Sequence, residues 1–212
     1  MDKLSGSVKI SGTIAYAPQQ PWIINMTLRD NILFGAPFNE EFYEFCLECC
    51  DLKQDIESFP GKDLTEIGEK GINLSGGQKQ RVSLARAIYS QSQIYLMDDP
   101  LGAVDTHVGK HLFDNAIGGL KRLNKSILLV THQLQYLQDV DQILVMKDGK
   151  IVESGSYTEL INQKGEFYEL EKSTTQLTQE EDEDEDDTNE KSFFFFFFFT
   201  FTHLLFFILI IK

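Results

Sequence analysis

The spacing of apolar and polar residues along the chain changes several times, and each change predicts an element. Val8 to Tyr16 alternates apolar and polar around Ser11-Gly12, which predicts two short strands joined by a turn. Two prolines then mark a loop, Pro18-Gln19-Gln20-Pro21-Trp22. Thr27 precedes Leu28-Arg29-Asp30 as an N-cap precedes a first helical turn. Asn39 caps a second helical pattern, with Phe42, Phe45, Cys46, Cys49 and Leu52 on one face. No strand pattern occurs before about Ile72, so residues 37–72 read as a helical insert.

From Ser75 the pattern becomes strand and helix in alternation. Ser75-Gly76-Gly77-Gln78 opens a helix carrying Val82, Ala85, Ile88 and Tyr89. Ile94-Tyr95-Leu96-Met97 runs into Asp98-Asp99-Pro100, and Ile127-Leu128-Leu129-Val130 runs into Thr131-His132. Between them, Val108, Leu112, Ala116 and Leu120 keep helical spacing. Two wholly apolar strands around a helix predict an α/β fold with a buried parallel sheet. Asp148-Gly149, between Ile143–Met146 and Lys150–Val152, is a two-residue hairpin signal. Ser156 and Glu159 form a capping box for a last helix through Leu170.

The tail is different material. Glu180 to Asp187 is an unbroken acidic run that repels itself, so residues 173–192 read as an acidic disordered linker. Residues 193–211 carry no charge and begin with seven consecutive Phe. At ~1.5 Å per residue this segment matches the ~30 Å of a bilayer core. Two readings stand, a membrane span and an aberrant end produced by reading through low-complexity sequence.

Charge and cysteine content narrow the function. Of the net −14, residues 1–172 carry −7, and the short remainder carries the other −7. An acidic chain has no general field for nucleic acid, so no nucleic-acid partner is expected. The three cysteines, Cys46, Cys49 and Cys50, sit in one helical pattern, with no second pair of Cys or His at zinc spacing. They read as buried thiols of a reducing compartment. The N-terminal stretch lacks the apolar run of a signal peptide, which predicts a cytosolic body.

Chemistry-bearing residues collect where an open α/β sheet binds ligands, at the carboxyl ends of its strands. Asp98 is placed to hold Mg²⁺ through water beside a nucleotide, or to serve as a plain turn residue. Asp99 stands where it could polarise an attacking water, or form a solvated acidic turn with its neighbour. Ser75-Gly76-Gly77-Gln78 is the most specific feature. A capping box accounts for Ser75 and Gln78 but gives no reason for two helix-weakening glycines between them. Two glycines at a helix start let a phosphate approach backbone N–H groups, favoured by the helix dipole.

These motifs resemble those of the ATP-binding cassette (ABC) ATPases. Leu74–Gln78 is similar to their signature sequence, Ile94–Asp98 to the Walker B strand, and Leu101–Asp105 to the D-loop. His132 is similar to the switch histidine and Gln19 to the Q-loop glutamine. The resemblance covers about residues 5–172. Ala15–Trp22 and Asp98–Asp105 look most like the first nucleotide-binding domain of the C, or multidrug-resistance-associated, subfamily. It implies a partial P-loop NTPase fold over residues 1–172, with the 37–72 insert as helical subdomain.

It further implies ATP and Mg²⁺ as cofactors. Asp98 and Gln19 would act toward the metal. Gln19, Ser75, Gly76, Gly77, Gln78 and Asp105 would act toward nucleotide, and Asp99 and His132 in catalysis. A second nucleotide-binding domain and transmembrane domains would be partners, at the cytoplasmic face of a membrane. The implied function is the ATP-hydrolysing part of an ABC transporter.

Two departures qualify this. The Gly-Lys pairs at Gly61, Gly109 and Gly149 are followed by Asp63, His111 and Ile151, so none makes the Gly-x4-Gly-Lys-Ser/Thr loop. The chain reads as starting after that Walker A strand and loop, which predicts an exposed sheet edge and an inactive isolated chain. Asp99 also stands where competent members carry Glu, as in weakly hydrolysing first domains of the C subfamily. The alternative function is therefore a non-catalytic module that lends its signature to a partner's ATP.

Overall fold

The computed structural model describes residues 5–68, 73–181 and 206–211. Its centre is a six-stranded sheet in the order β1-β2-β3-β6-β4-β5. Strands β1 (Ile14–Ala17), β2 (Ile94–Asp98) and β3 (Ser126–Thr131) are parallel neighbours, with Ala17 beside Met97 and Asp98 beside Val130. Their carboxyl ends are therefore level, and Gln19, Asp98, Asp99 and His132 follow along one edge. This agrees with the predicted parallel α/β sheet.

Strand β4 (Gln142–Lys147) turns at Asp148-Gly149 into antiparallel β5 (Lys150–Gly155). Both turn residues have positive φ, 51° and 74°, as a two-residue hairpin requires. Strand β6 (Phe206–Ile211) lies between β3 and β4 and runs antiparallel to both. So β3 and β4 point the same way, one strand apart. Residues 206–211 thus complete the sheet between β3 and β4. Those six residues, read as the end of either a membrane segment or an aberrant tail, are a sheet strand here. No helix among the described residues is long and apolar enough to cross a membrane.

The helices cover the sheet. Thr27 caps α1 (Leu28–Leu33), accepting from the Asp30 amide, and Asn39 caps α2 (Glu40–Cys49), accepting from that of Phe42. Helix α3 (Lys53–Ser58) and a 3₁₀ turn at Lys62–Leu64 complete the described part of the helical insert. The insert returns to its start, for Leu28 donates to the Thr65 carbonyl and Ile67 to that of Met26. Cys46, Cys49 and Cys50 are buried at the end of α2, as expected, and burial raises the thiol pKa values of Cys46 and Cys50.

Helix α4 (Gly76–Tyr89) crosses behind the sheet with Val82, Leu84, Ala85 and Ile88 in the core. Helix α5 (Thr106–Leu112) runs through one π turn, Phe113–Ile117, into α6 (Gly118–Arg122). Helices α7 (Tyr157–Gln163) and α8 (Glu166–Glu181) close the described body.

Three further expectations change. Val8–Ser11 forms no strand, and only β1 survives of the predicted pair. The last helix is two helices, broken where Lys164 takes a left-handed conformation. Helix α8 extends to Glu181, so residues 173–181, read as linker, are helical. The rest of the acidic run and the Phe run lie outside the described residues.

Candidate functional site

The signature turn is built by its cap. Ser75 Oγ accepts from the Gln78 amide at 3.2 Å, and Gln78 Oε1 accepts from the Ser75 amide at 2.9 Å. This is the reciprocal capping box expected from the sequence. Its side chains are thereby used within the turn. The Gly76 and Gly77 amides lie in the first turn, where a helix offers them no intrahelical acceptor. Ser75 and Gly76 are exposed. A Cβ on Gly77 would stand 3.2 Å from the Ala103 carbonyl oxygen, so a bare glycine lets the turn lie close against the 101–105 loop.

The far side of Gln78 is anchored as well. Its Nε2 donates to Asp55 Oδ1 at 2.8 Å, and Arg81 Nη2 pairs with Asp55 Oδ2 at 2.9 Å. Arg81 also donates to the Asp51 carbonyl. One carboxylate on α3 thus fixes both the signature glutamine and the next turn of α4.

Two turns further along, Arg86 is buried. Its Nε donates to the Asn31 carbonyl at 2.7 Å and its Nη1 to that of Trp22 at 3.0 Å. The guanidinium lies over the Trp22 ring, 3.8 Å from its centroid. Burial lowers its pKa to about 10. Gln80, also buried, donates to the Pro18 carbonyl at 3.5 Å. Through Gln80 and Arg86, α4 holds both ends of the loop that carries Gln19, whose own side is exposed.

At the strand ends, Asp98 closes β2, half-buried, and Asp99 is buried with φ +44°, outside the usual range for a residue with a side chain. The Asp99 amide donates to the Val130 carbonyl at 2.8 Å, which ties the turn to β3. Its carboxylate accepts from Thr131 Oγ1 at 3.5 Å and faces His132 Nδ1 at 3.3 Å. Asp99 hydrogen bonding raises the His132 pKa above its ordinary value, outweighing partial burial. A Cβ at Gly102 would collide with the Asp99 carboxylate, so this glycine gives Asp99 its place. Gln133 Nε2 donates to the Leu101 carbonyl at 3.4 Å, a second link between the two loops.

Asp105 caps α5, accepting from the Val108 amide at 3.0 Å, and this lowers its exposed carboxylate's pKa. Gln19, Asp98, Asp99 and His132 thus share one sheet edge. Ser75–Gln78 stands on another element, and its hydrogen bonds run to Asp55 rather than to the strand ends. Among the described residues, no three His, Cys, Asp or Glu side chains gather into a metal cluster. A Mg²⁺ ion needs no such cluster, being held commonly by one or two carboxylates, water and phosphate. Asp98 and the exposed Gln19 fit that donor set.

Sequence reasoning missed Asp55, Arg81, Arg86, Asn31, Thr131 and Gln133. Arg86 alone left a signal, a charge on the same helical stretch as Ala85, Ile88 and Tyr89. The others become visible only when α3, α4 and the strand ends are placed together.

The family to which this chain belongs follows from its sequence relatives. Residues 3–102 match the sequence model of the ABC transporter family. Among curated proteins, ATP-binding cassette sub-family C member 2 of Homo sapiens is 58% identical over 169 residues, 79% of this chain. ABC transporter C family member 3 of Dictyostelium discoideum is 57% identical over 167 residues, again 79% of the chain. Multidrug resistance protein mrp-7 of Caenorhabditis elegans is 57% identical over 171 residues, 80% of the chain. The chain carries a nucleotide-binding domain of the ABC transporter family, of the multidrug-resistance-associated C type. It spans only 11–12% of the length of those relatives.

Proposed function

We propose that this domain is an ATP-hydrolysing half of an ABC transporter, at the cytoplasmic face of a membrane. Its partners are a second nucleotide-binding domain and transmembrane domains. The observation that carries this reading is the exposed start of the signature turn, its side chains tied back and its first-turn glycine amides without an intrahelical acceptor. The turn would donate Gly76 and Gly77 N–H groups, and the Ser75 hydroxyl, to phosphate oxygens of ATP held by the partner domain. Bound MgATP would supply the phosphoryl group that is transferred to water.

The remaining residues of this chain act around it. Asp98 and Gln19 would hold the ion at the sheet edge. His132 Nδ1 faces Asp99, which leaves Nε2 for a ligand, and the raised pKa favours the protonated, donating form. Asp99 steadies that imidazole and can accept a proton from a nearby water. Its carboxylate is shared with His132 and Thr131, and it is a methylene shorter than Glu, so turnover at this half is slow. Asp105 holds the start of α5 beside the turn, where a partner domain would read it. The non-catalytic alternative is not favoured by the relatives found.

The test mixes the chain with an intact second nucleotide-binding domain from one of the relatives. The expected result is association that needs both ATP and Mg²⁺, lost in Gly76→Asp because a carboxylate there repels phosphate. Turnover of the mixture should fall in the same variant. A folded chain that never associates in the presence of MgATP overturns the reading.

A further inference from the structure

The loop between β1 and α1 is held unequally at its two ends. At the far end Asn31, wholly buried, accepts from the Ile24 amide and donates to the Ile24 carbonyl, both at 2.9 Å. Arg86 Nη2 donates to the Asn31 side chain at 3.2 Å, beside its bonds to the Trp22 and Asn31 carbonyls. At the near end the hold is slight. Gln80 Nε2 donates to the Pro18 carbonyl at 3.5 Å, the long limit of a hydrogen bond. Among the described residues, no hydrogen bond involves Gln19 or Gln20.

That one bond acts on a sensitive point. The ring of Pro18 sets its φ, so ψ is its remaining soft dihedral. Its carbonyl shares one rigid peptide plane with the Gln19 amide. A hydrogen bond to that carbonyl therefore sets ψ, and with it the direction in which Gln19 leaves the strand end. Pro21 restricts Gln20 as well, so few torsions remain in which a change at Pro18 could be absorbed.

Gln80 is also costly where it stands. It is 1% exposed, and its Oε1 has no hydrogen-bond partner among the described residues. A buried carbonyl left unpartnered destabilises, and an apolar residue at this helix position would avoid that. What an apolar side chain could not supply is the bond to Pro18. Gln80 lies one turn beyond Gly77 on α4, so the helix that opens with the signature turn also carries the hold on Gln19.

We propose that Gln80 is a positioning residue for Gln19. By holding the Pro18 carbonyl it sets the peptide plane from which Gln19 reaches toward Mg²⁺. The role of Gln19 toward the ion rests on the nucleotide reading; the hold of Gln80 on Gln19 does not.

The experiment uses the whole chain, alone and mixed with an intact second nucleotide-binding domain from a relative. Gln80→Met puts an apolar side chain of similar length at the same helix position. In the chain alone, the backbone order parameter of the Gln19 amide should fall toward about 0.6, the flexible range, while that of the Trp22 indole stays as it is. Trp22 is the single tryptophan of the chain, so its signal is unambiguous. In the mixture, the Mg²⁺ concentration that half-supports ATP-dependent association should rise about tenfold, the low end for losing a group that orients a metal ligand. Gln19→Ala should raise it too. Adding Gln80→Met to Gln19→Ala should raise it no further, whereas a merely structural loss would add. If Gln80→Met loses its circular dichroism, Gln80→Leu replaces it. An unchanged Gln19 order parameter, or additive shifts in the Mg²⁺ requirement, overturns the proposal. A Gln19→Ala chain with the wild-type Mg²⁺ requirement overturns the nucleotide reading of Gln19 instead, and the order parameter alone then decides on Gln80.

Discussion

The signature turn and the strand-end cluster are both polar, and both sit where a loop meets a regular element, yet they are held in opposite ways. In the turn, Ser75 and Gln78 bond each other and Gln78 bonds Asp55, at 2.8–3.2 Å, and Ser75 and Gly76 are exposed. In the cluster, Asp99 has positive φ, and its contacts to Thr131 and His132 stretch to 3.5 and 3.3 Å. The turn is finished before any ligand arrives, because its donors are backbone groups that need only a fixed helix start. The cluster presents side chains whose bonds are long and whose charge changes with pH. The phosphate role proposed for the turn suits a rigid site, whereas the proton-handling role proposed for the cluster needs a group free to titrate.

Substitutions can break this contrast, and their effects should scale with how deeply each anchor is buried. Arg86→Ala strips the Asn31 and Trp22 carbonyls of a buried donor and should cost about 3 kcal/mol in denaturant unfolding. Arg86→Lys should recover little of it, since an ammonium cannot replace the planar fork over Trp22. Asp55→Ala frees Arg81 and Gln78 together and should cost about 2 kcal/mol. It should also speed hydrogen exchange across Ser75–Lys79, so that the turn comes to resemble the looser cluster. Ser75→Ala removes only the cap and should cost about 1 kcal/mol.

The smallest effect on stability falls on the cluster. Asp99→Asn should bring the His132 pKa back down toward its ordinary value, read by NMR titration of the ring proton. The sign follows from the shift. Because the folded pKa is raised, the Asp99–His132 attraction stabilises fully below about pH 6.5 and is lost as pH rises through the folded value. The stability gap between wild type and variant should therefore narrow on the alkaline side. An unchanged His132 pKa would show that the 3.3 Å contact carries no electrostatic weight. Gly102→Ala should produce the same fall in pKa by pushing the Asp99 carboxylate aside.

Much of this was legible in the residues themselves. Caps at Thr27, Asn39, Ser75 and Ser156 act over three or four residues, so their signals lie in the local sequence and the structure keeps each one. The apolar runs ending in Asp98 and Thr131 were parallel strands for the same reason, since burial on both faces leaves no polar alternation. The Asp148-Gly149 hairpin followed from the conformational demand of a two-residue turn. Val8–Ser11 was misread because alternation without a partner strand makes no ladder.

What the sequence by itself determined, then, was everything governed by short-range stereochemistry and by the order of motifs. Only the tertiary structure decided the long-range choices. Asp55 meets Gln78 across 23 residues, and Arg86 meets Trp22 across 64, so no local pattern could announce them. The most distant choice is β6. An apolar six-residue strand satisfies its backbone wherever two open edges await it, and no pattern within the strand says which edges those are. The slot between β3 and β4 decides it, because two facing edges and a core needing Leu209 and Ile211 exist only once the rest of the sheet has formed.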